Sequence, residues 1–364
     1  MSKPLVPMKV ALVYDRVNKW GGAERVLQVM HEIFPDAPLY TSVYSPKQAS
    51  WAKIFPEIKT TFLQKIPYFR NHHELIPWLM PIAFESLDFS NYDVVVSITS
   101  EYCKGIITKP STLHVCYCLT PTRYLWSGYR EYFDSFFNKT IAQPIVRYLR
   151  KWDVIAAKRP DVMIGISSEV QKRIKKYYGR DSKIVYPPVS FTTITNRQSP
   201  ITDYYLLVSR LVKYKNIDLA IKTFNNLNKK LVVVGVGSEG KKLMRMSKNN
   251  IKFMGKVSDM KLSSLYQNAN ALIIPQLEDF GLVAVESQLH GTPVIAYGKG
   301  GALDTVINDK TGVLFNEQSE ASLQHAIDKF EKMSFDKGII KKNAKRFTKN
   351  KFKKEFLEVI NKHL

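Results

Sequence analysis

Two glutamates in residues 276–287 have the type and spacing to bind a hydroxyl-rich ligand. Glu278 and Glu286 lie eight positions apart, and a carboxylate accepts paired hydrogen bonds from vicinal hydroxyls. If a helix begins just after Glu278, one carboxylate lies at its mouth and the other about two turns further along. We therefore predict that they hold a ribose and a hexose at the two ends of a diphosphate. The alternative is one glutamate that complements a helix dipole and a second that is merely exposed.

The residues around these glutamates indicate a strand-to-helix turn. The apolar run at 271–275 predicts a buried parallel strand, and residues 282–289 have helical composition. The first amides of a helix have no partner within it, and the helix dipole adds positive charge there, which suits a phosphate. The amides predicted to meet that phosphate belong to Phe280, Gly281, Leu282 and Val283.

Two cations follow another predicted strand. Arg210 and Lys215 lie between a strand at 204–209 and a helix at 217–227. Arginine offers a rigid fork of donors and lysine a mobile point charge, so the pair could clamp a diphosphate. The alternative is that both are ordinary solvated charges.

Glycines follow two further predicted strands. Gly22 lies between the strand at 9–14 and a helix at 24–33, and Gly237 ends the run at 231–237. Glycine allows a ligand to approach the backbone closely, but tight turns also use it routinely. These positions alone are therefore weak evidence for a ligand site.

The loop after the predicted strand at 113–118 carries side chains that could grip a sugar or a phosphate. They are Arg123, Tyr124 and Trp126. Open α/β sheets bind ligands at the carboxyl ends of their strands, which is where this loop begins. Structural packing of the two aromatic residues is the competing interpretation.

Length and composition indicate a two-domain protein with full-sized cores. The chain has 364 residues, of which 45% are hydrophobic and 12% aromatic. The three cysteines have no zinc-type or redox spacing, which is typical of a reducing compartment. We also expect no secretory signal and no membrane-spanning helix, because the longest uncharged apolar stretch, 75–84, has only ten residues.

The net charge of +22 requires an anionic partner or an extended basic surface. Lysine and arginine are dense in 139–183 and 337–362, without the signature of a nucleic-acid-binding module. We expect solvated or membrane-facing surfaces and no nucleic acid. The aromatic stretch at 55–84 either packs on the core or touches the membrane interface, and His72 and His73 are expected to form a surface pair.

Strands and helices alternate in two runs that a linker separates. We predict an N-terminal domain at 1–189, a linker at 190–202, a second domain at 203–345 and a basic C-terminal helix at 346–364. Such alternation is typical of α/β folds with doubly wound parallel sheets.

Taken together, the motifs resemble those of retaining glycosyltransferases of family 4. In the second half the matching residues are Ser209-Arg210-Leu211-Val212, Lys215-Asn216-Ile217, Gly255, Val257-Ser258-Asp259, Pro275, Glu278-Asp279-Phe280-Gly281-Leu282, Val285-Glu286-Ser287 and Gly291-Thr292-Pro293-Val294-Ile295. In the first half, Gly21-Gly22-Ala23-Glu24-Arg25, His114-Val115-Cys116-Tyr117-Cys118, Thr120-Pro121, Arg123-Tyr124 and Tyr186-Pro187-Pro188-Val189 are similar to bacterial mannosyltransferases that extend lipid-linked O-antigen or capsule glycans.

The resemblance implies the GT-B architecture, with two Rossmann-like domains facing a central cleft and a C-terminal helix that returns to the N-terminal domain. It implies transfer of mannose from GDP-mannose to a lipid-linked oligosaccharide in surface polysaccharide synthesis. The protein would act in the cytoplasm, peripherally on the anionic inner face of the cell membrane. It would have no permanently bound cofactor.

The resemblance also assigns roles to residues. Arg210 and Lys215 would neutralise the donor diphosphate, Glu286 would bind the ribose, and Glu278 would hold the transferred sugar. The remaining donor contacts would come from Gly22, Gly237, the backbone of Val257, and the amides of residues 280–283. The acceptor or sugar contacts would be His114, Thr120, Arg123 and Tyr124. The family usually has a histidine that contacts the donor sugar at the position of Leu119, which bears on donor preference and activity.

We expect catalysis without a metal, because two cations and a helix N-terminus can stabilise the leaving diphosphate, and the sequence contains no Asp-x-Asp. A leaving-phosphate oxygen would take the proton of the acceptor hydroxyl, and Glu278 would bind substrate and not act as the nucleophile. Two alternatives remain open. One is a UDP-sugar donor, and the other is a catalytically weakened glycan- or lipid-binding assembly subunit.

Overall fold

The structure, a computed structural model, describes residues 8–66, 76–132, 136–189 and 202–364. It divides the chain into two compact units. Unit 1 comprises Met1–Pro188 and Phe352–Leu364, and unit 2 comprises Val189–Lys351. The predicted surface pair His72 and His73, and all of the predicted linker 190–202 except its last residue, lie outside the described residues.

Unit 1 is built on a parallel sheet. Within the described residues its strands, β1 to β7 in chain order, are Val10–Tyr14, Leu39–Thr41, Ile58–Thr60, Val94–Thr99, Leu113–Cys118, Val162–Gly165 and Lys183–Ile184. Their spatial order is β3-β2-β1-β4-β5-β6-β7. The order reverses between β1 and β4, and that reversal creates a crevice at the carboxyl ends of these two strands.

Helices connect the strands of unit 1. In the described residues they are α1 (Gly22–Ile33), α2 (Met80–Glu85), α3 (Tyr129–Tyr132), α4 (Phe136–Ala156) and α5 (Ser168–Tyr178). The last helix of the chain, Lys349–Asn361, which we number α13, also packs here. Its residues Phe352 and Phe356 contact Tyr117 of β5 edge-on, with ring centroids 5.7 and 6.1 Å apart.

Unit 2 repeats this architecture with a second parallel sheet. Its strands, β8 to β13, are Tyr205–Val208, Leu231–Val234, Ile251–Gly255, Leu272–Ile274, Val294–Tyr297 and Gly312–Phe315. The spatial order is β10-β9-β8-β11-β12-β13, so here the reversal falls between β8 and β11. The side chains of β9, β11 and β12 are buried on both faces of the sheet, which explains why these strands appear in the sequence as continuous apolar runs.

The helices of unit 2 cover both faces of its sheet. They are α6 (Ile217–Leu227), α7 (Gly240–Met246), α8 (Asp259–Asn268), α9 (Leu282–Leu289), α10 (Ala302–Thr305), α11 (Glu320–Glu331) and α12 (Lys337–Ala344). The predicted α/β class with two doubly wound domains is therefore confirmed. The basic segment at 338–362 forms α12, a 3-10 turn at Lys345–Phe347 and α13, and not one continuous helix.

Across the described residues, no helix combines the length and the apolar character that crossing a membrane requires.

Candidate functional site

The site of unit 2 lies where the strand order reverses. Strands β8 and β11 are neighbours in the sheet, with Leu272 paired to Leu206. The loops that leave their carboxyl ends, 209–216 and 275–281, therefore emerge side by side. In open α/β sheets this position is the usual place for a ligand.

Lys215 and Glu278 from these two loops form an ion pair. The lysine Nζ lies 2.7 Å from Glu278 Oε1, and their side chains are only 12% and 18% exposed. Gln276 Nε2 donates a second hydrogen bond, of 2.5 Å, to the same oxygen. The structure thus brings together two residues that sequence analysis assigned to the same ligand.

Arg210 lies in the same loop as Lys215 and is exposed. Its Nη2 donates to the hydroxyl of Tyr214, and its guanidinium carbon lies 5.8 Å from the centre of the Tyr214 ring. Lys215 Nζ lies 5.4 Å from the same ring. Tyr214 therefore contacts both cations. Sequence analysis missed its role, and the only available signal was its position between them.

Glycines shape the turn that leads into α9. Gly281 adopts φ 91° and ψ 57° and begins the helix without a side-chain cap, a conformation that favours glycine. Gly301 N donates to Glu278 O at 2.8 Å. A Cβ on Gly300 would lie 2.5 Å from that carbonyl oxygen, and one on Gly301 would lie 2.3 Å from Phe280 Cα. The loop after β12 therefore holds the backbone of Glu278 and Phe280 in place.

Glu286 lies on α9 and is buried, with 5% of its surface exposed. Its Oε2 accepts a 3.0 Å hydrogen bond from the hydroxyl of Tyr266, a residue of α8. The Tyr266 ring stacks on His290 with centroids 5.5 Å apart, and His290 Nδ1 lies 2.8 Å from the carbonyl oxygen of Glu286. Burial lowers the pKa of His290, which keeps the imidazole neutral at physiological pH. Sequence analysis did not identify Tyr266.

The other predicted donor contacts of unit 2 have structural roles visible in the fold. A Cβ on Gly237 would lie 2.2 Å from Leu211 O, so close backbone packing already requires a glycine there. Val257 is half-buried and packs against a core cluster. Phe280 is 3% exposed, and its ring meets Phe347 edge-on at 5.3 Å. Leu282 and Val283 form the first turn of α9.

Unit 1 has a second candidate site at its own strand-order reversal. Asp15 directly follows β1 and is 1% exposed. It accepts hydrogen bonds from the amides of Ser100, Glu101, Tyr102 and Cys103, at 2.7 to 3.0 Å. Next to it, Arg16 Nη1 lies 2.6 Å from Glu101 Oε2. Burial lowers the pKa of Arg16, but Glu101 and Asp15 together raise it, and the net shift is upward. Sequence analysis missed Asp15, although a carboxylate that ends a buried strand was an available signal.

A buried ion pair lies beneath this site. Lys104 Nζ lies 2.5 Å from Asp153 Oδ1, and both side chains are 1% exposed. Lys104 also donates to the carbonyl oxygen of Glu101, and Asp153 accepts from Thr122 Oγ1 at 3.0 Å and from Trp126 Nε1 at 2.7 Å. This network joins the loop after β4, the loop after β5 and helix α4.

The predicted site residues of unit 1 are spread through the unit. Gly22, predicted to contact the donor, begins α1. The others were predicted to contact acceptor or sugar. Thr120 Oγ1 accepts from Arg173 at 3.4 Å, and Arg123 lies 3.7 Å from Glu131. The hydroxyl of Tyr124 bonds to that of Tyr102.

His114 requires a correction. It lies inside β5 with no exposed surface, and its Nε2 is 2.8 Å from Ser97 Oγ. Burial lowers its pKa to about 3. The side chain is therefore a neutral part of the sheet and is not placed to contact a ligand. The next loop begins at Leu119, where the expected histidine is absent.

Comparison with known proteins finds a similarity to glycosyltransferases that covers most of unit 2. Residues 196–354 match the family model described as "Glycosyl transferases group 1". The chain is 30% identical over 162 residues to the capsular polysaccharide biosynthesis glycosyltransferase CapM of Staphylococcus aureus, covering 41% of this chain and 42% of that protein. It is 28% identical over 215 residues to the O-antigen chain mannosyltransferase RfbU of Salmonella typhimurium, covering 56% and 58%. The chain thus spans about half the length of these curated relatives.

The fold is also that of a solved glycosyltransferase structure. Anabaena HepE in complex with UDP and glucose is 20% identical, with a TM-score of 0.68, and the match covers 97% of this chain and 99% of that one. This similarity establishes the GT-B fold of the chain.

Proposed function

We propose that this protein is a retaining glycosyltransferase that moves a hexose from a nucleoside-diphosphate sugar to a lipid-linked glycan in surface polysaccharide synthesis. The observation that carries the proposal is the Lys215–Glu278 pair at the mouth of α9, at the strand-order reversal of unit 2. It puts a cation, a carboxylate and a helix N-terminus within reach of one diphosphate sugar.

Each group has a task in such a transfer. The bond that breaks joins the sugar to a phosphate oxygen, so negative charge develops on the departing diphosphate. Lys215, Arg210 and the amides at the start of α9 are suited to stabilise that charge. Glu278 and Glu286 would accept hydrogen bonds from hydroxyls of the sugar and the ribose. The proton of the acceptor hydroxyl would pass to an oxygen of the leaving phosphate, and we propose that no metal is required.

Mannose from GDP-mannose is the donor that we propose first. Support comes from the motifs of both halves and from the match to RfbU, a protein described as an O-antigen chain mannosyltransferase. A UDP-sugar is the second candidate, because the HepE structure holds UDP and glucose on the same fold. Loss of the usual histidine at Leu119 supports a third candidate, a glycan- or lipid-binding subunit with weakened catalysis.

The decisive experiment measures transfer and donor hydrolysis for GDP-mannose and a panel of UDP-sugars, each with and without a chelator. We expect turnover with GDP-mannose that the chelator leaves unchanged, and nuclear magnetic resonance of the product should show retention at the anomeric carbon. Turnover with a UDP-sugar but not with GDP-mannose would show that the donor is the UDP-sugar. Turnover that stops when the chelator is added would contradict metal independence. No turnover with any donor would favour the binding subunit.

We further propose that unit 1 lies on the inner face of the cell membrane. Several large apolar side chains of this unit are exposed, among them Trp20, Trp78 and Ile82. The whole chain carries a net charge of +22. Exposed aromatic and cationic side chains together favour the headgroup layer. Co-sedimentation with vesicles should require anionic lipid and should weaken as salt increases, whereas salt-independent or absent binding would contradict the proposal.

A further inference from the structure

A cavity of about 470 Å³ lies next to the strand-order reversal of unit 1. Small-molecule sites typically measure about 300–1,000 Å³, so this cavity is large enough to bind a small molecule or part of a larger ligand. Its lining includes Arg16 and Glu101, the ion pair from the loops after β1 and β4. It therefore lies at the sheet edge where α/β folds bind substrates.

One wall of the cavity is an apolar stripe of helix α4. The lining residues of this helix are Ala142, Ile145, Val146 and Leu149. Their spacing of three and four places them on one side of the helix. Leu149 is fully buried and Val146 is 4% exposed, so the stripe is continuous with the core of unit 1. These side chains offer no hydrogen-bond donor or acceptor to a ligand.

The facing wall is aromatic, and its hydroxyls bond to each other. Tyr102 and Tyr124 both line the cavity, and their hydroxyl groups form a hydrogen bond. Burial raises the pKa of both phenols, so both stay neutral. Tyr132 also lines the cavity and is 55% exposed, which places it at the solvent side.

The charged residues that line the cavity are Arg16 and Glu101. Their side chains are 15% and 18% exposed, and 2.6 Å separates their charged atoms. A sugar ring packed against the α4 stripe would leave the hydroxyls on that side without hydrogen-bond partners, which is unfavourable. A hydrocarbon chain would leave no polar group unpaired there. An anionic end on that chain would compete with the Glu101 carboxylate for the guanidinium of Arg16.

We propose that this cavity binds the apolar portion of the acceptor, a prenyl-like hydrocarbon chain, with its phosphate end at Arg16. The proposal rests on the proposed transfer to a lipid-linked glycan and specifies which part of the acceptor unit 1 holds. The glycan would then extend from the cavity mouth, away from the α4 stripe.

The test measures binding of farnesyl phosphate to the full-length protein by calorimetry, below its critical micelle concentration and without donor. We expect saturable one-to-one binding of farnesyl phosphate and none of inorganic phosphate. Ala142→Trp fills the cavity and should weaken binding at least tenfold. Ile155→Trp, a change at an exposed position of the same helix, should leave binding unchanged. Equal affinity of the wild type and Ala142→Trp would overturn the proposal.

A second comparison tests the polar end and guards against misfolding. Farnesol should bind more weakly than farnesyl phosphate to the wild type, and the preference should disappear in the Arg16→Gln/Glu101→Gln double variant. GDP and UDP binding to unit 2 should be the same in every folded variant. A preference that survives the double variant would remove Arg16 from the site. Because the assay uses no donor, failure of sugar transfer with intact farnesyl phosphate binding would refute the proposed function and leave this cavity assignment standing.

Discussion

The Lys215 ammonium and the Glu278 carboxylate neutralise each other across 2.7 Å at the start of helix α9. The two residues come from loops 63 positions apart that meet because β8 and β11 are adjacent. An incoming diphosphate would compete with Glu278 for Lys215. The carboxylate would then be released to accept hydrogen bonds from sugar hydroxyls, so donor binding would prepare both groups at once.

Replacing Lys215 with alanine should reduce kcat/KM about 100-fold or more, because one charge-stabilising donor at the leaving group is lost. Glu278→Gln should keep nucleotide affinity and lose discrimination among donor sugars. Steady-state kinetics measures kcat/KM and the discrimination among donor sugars, and GDP binding measures nucleotide affinity. Lys222→Ala, at a half-exposed lysine of α6, is the matched control and should behave as wild type. A Lys215→Ala enzyme with normal kcat/KM would remove this residue from the site.

Tyr266→Phe should raise the KM for the donor about tenfold and change kcat little. The change deletes the hydroxyl that donates to Glu286 and keeps the ring that stacks on His290. A hydrogen bond to a charged group contributes about 1.5–3 kcal/mol. The matched control is the same substitution in β12 of this unit, Tyr297→Phe. If Tyr266→Phe lowers the midpoint of thermal unfolding but leaves the KM for the donor constant, Tyr266 has only a structural role.

Lys104→Met should destabilise the folded protein by about 3–5 kcal/mol, because Asp153 would keep a buried charge without its partner. The double variant Lys104→Met/Asp153→Leu should regain part of that loss. Urea unfolding followed by tryptophan fluorescence measures both, since Trp126 and Trp152 lie beside the pair. A double variant less stable than Lys104→Met would show that the hydrogen bonds of Asp153 matter more than its charge.

His114 should make the protein sensitive to acid. Its pKa falls from an ordinary 6.5 to about 3 in the folded state, so the unfolded chain binds more protons between these values. The free energy of unfolding should therefore decrease as pH falls through this window, by about 1.4 kcal/mol per pH unit, and the His114 contribution should be constant above it. His114→Gln should flatten the slope. The control His325→Gln, at an exposed histidine of α11, should leave this pH dependence of the free energy of unfolding unchanged. If His114→Gln shows the same slope as the wild type, His114 is not the source of the acid sensitivity.

Sequence patterns predicted the elements that carry long apolar runs. The helix at Ile217–Leu227 and the strand at Leu113–Cys118 have the predicted bounds. Most of the apolar side chains of these two elements are buried, and burial produces the regular apolar patterns that were used. The edge strand Ile58–Thr60 was missed because its three residues are only partly buried and leave no such pattern.

The candidate sites were predictable only in part. Residue type and position after a strand identified Lys215 and Glu278, because chain order fixes which loops follow which strands. The same reasoning could not find that Asp15 accepts amides more than eighty positions away, or that Tyr266 donates to Glu286. Those contacts depend on strand order and helix packing, which a single sequence does not encode as a local pattern. His114 shows the opposite error, since the resemblance assigned a ligand contact to a side chain that is buried inside β5.

The packing of Phe352 and Phe356 on Tyr117 has a consequence for biosynthesis. A nascent chain that has emerged only as far as residue 351 contains the seven strands described for unit 1 but lacks Phe352 and Phe356, which pack on β5. Unit 2, in contrast, is continuous from Val189 to Lys351 and can be completed first. Unit 2 should therefore be complete before unit 1 during synthesis, and a chain that has emerged only to residue 351 would expose that apolar part of unit 1 to chaperones.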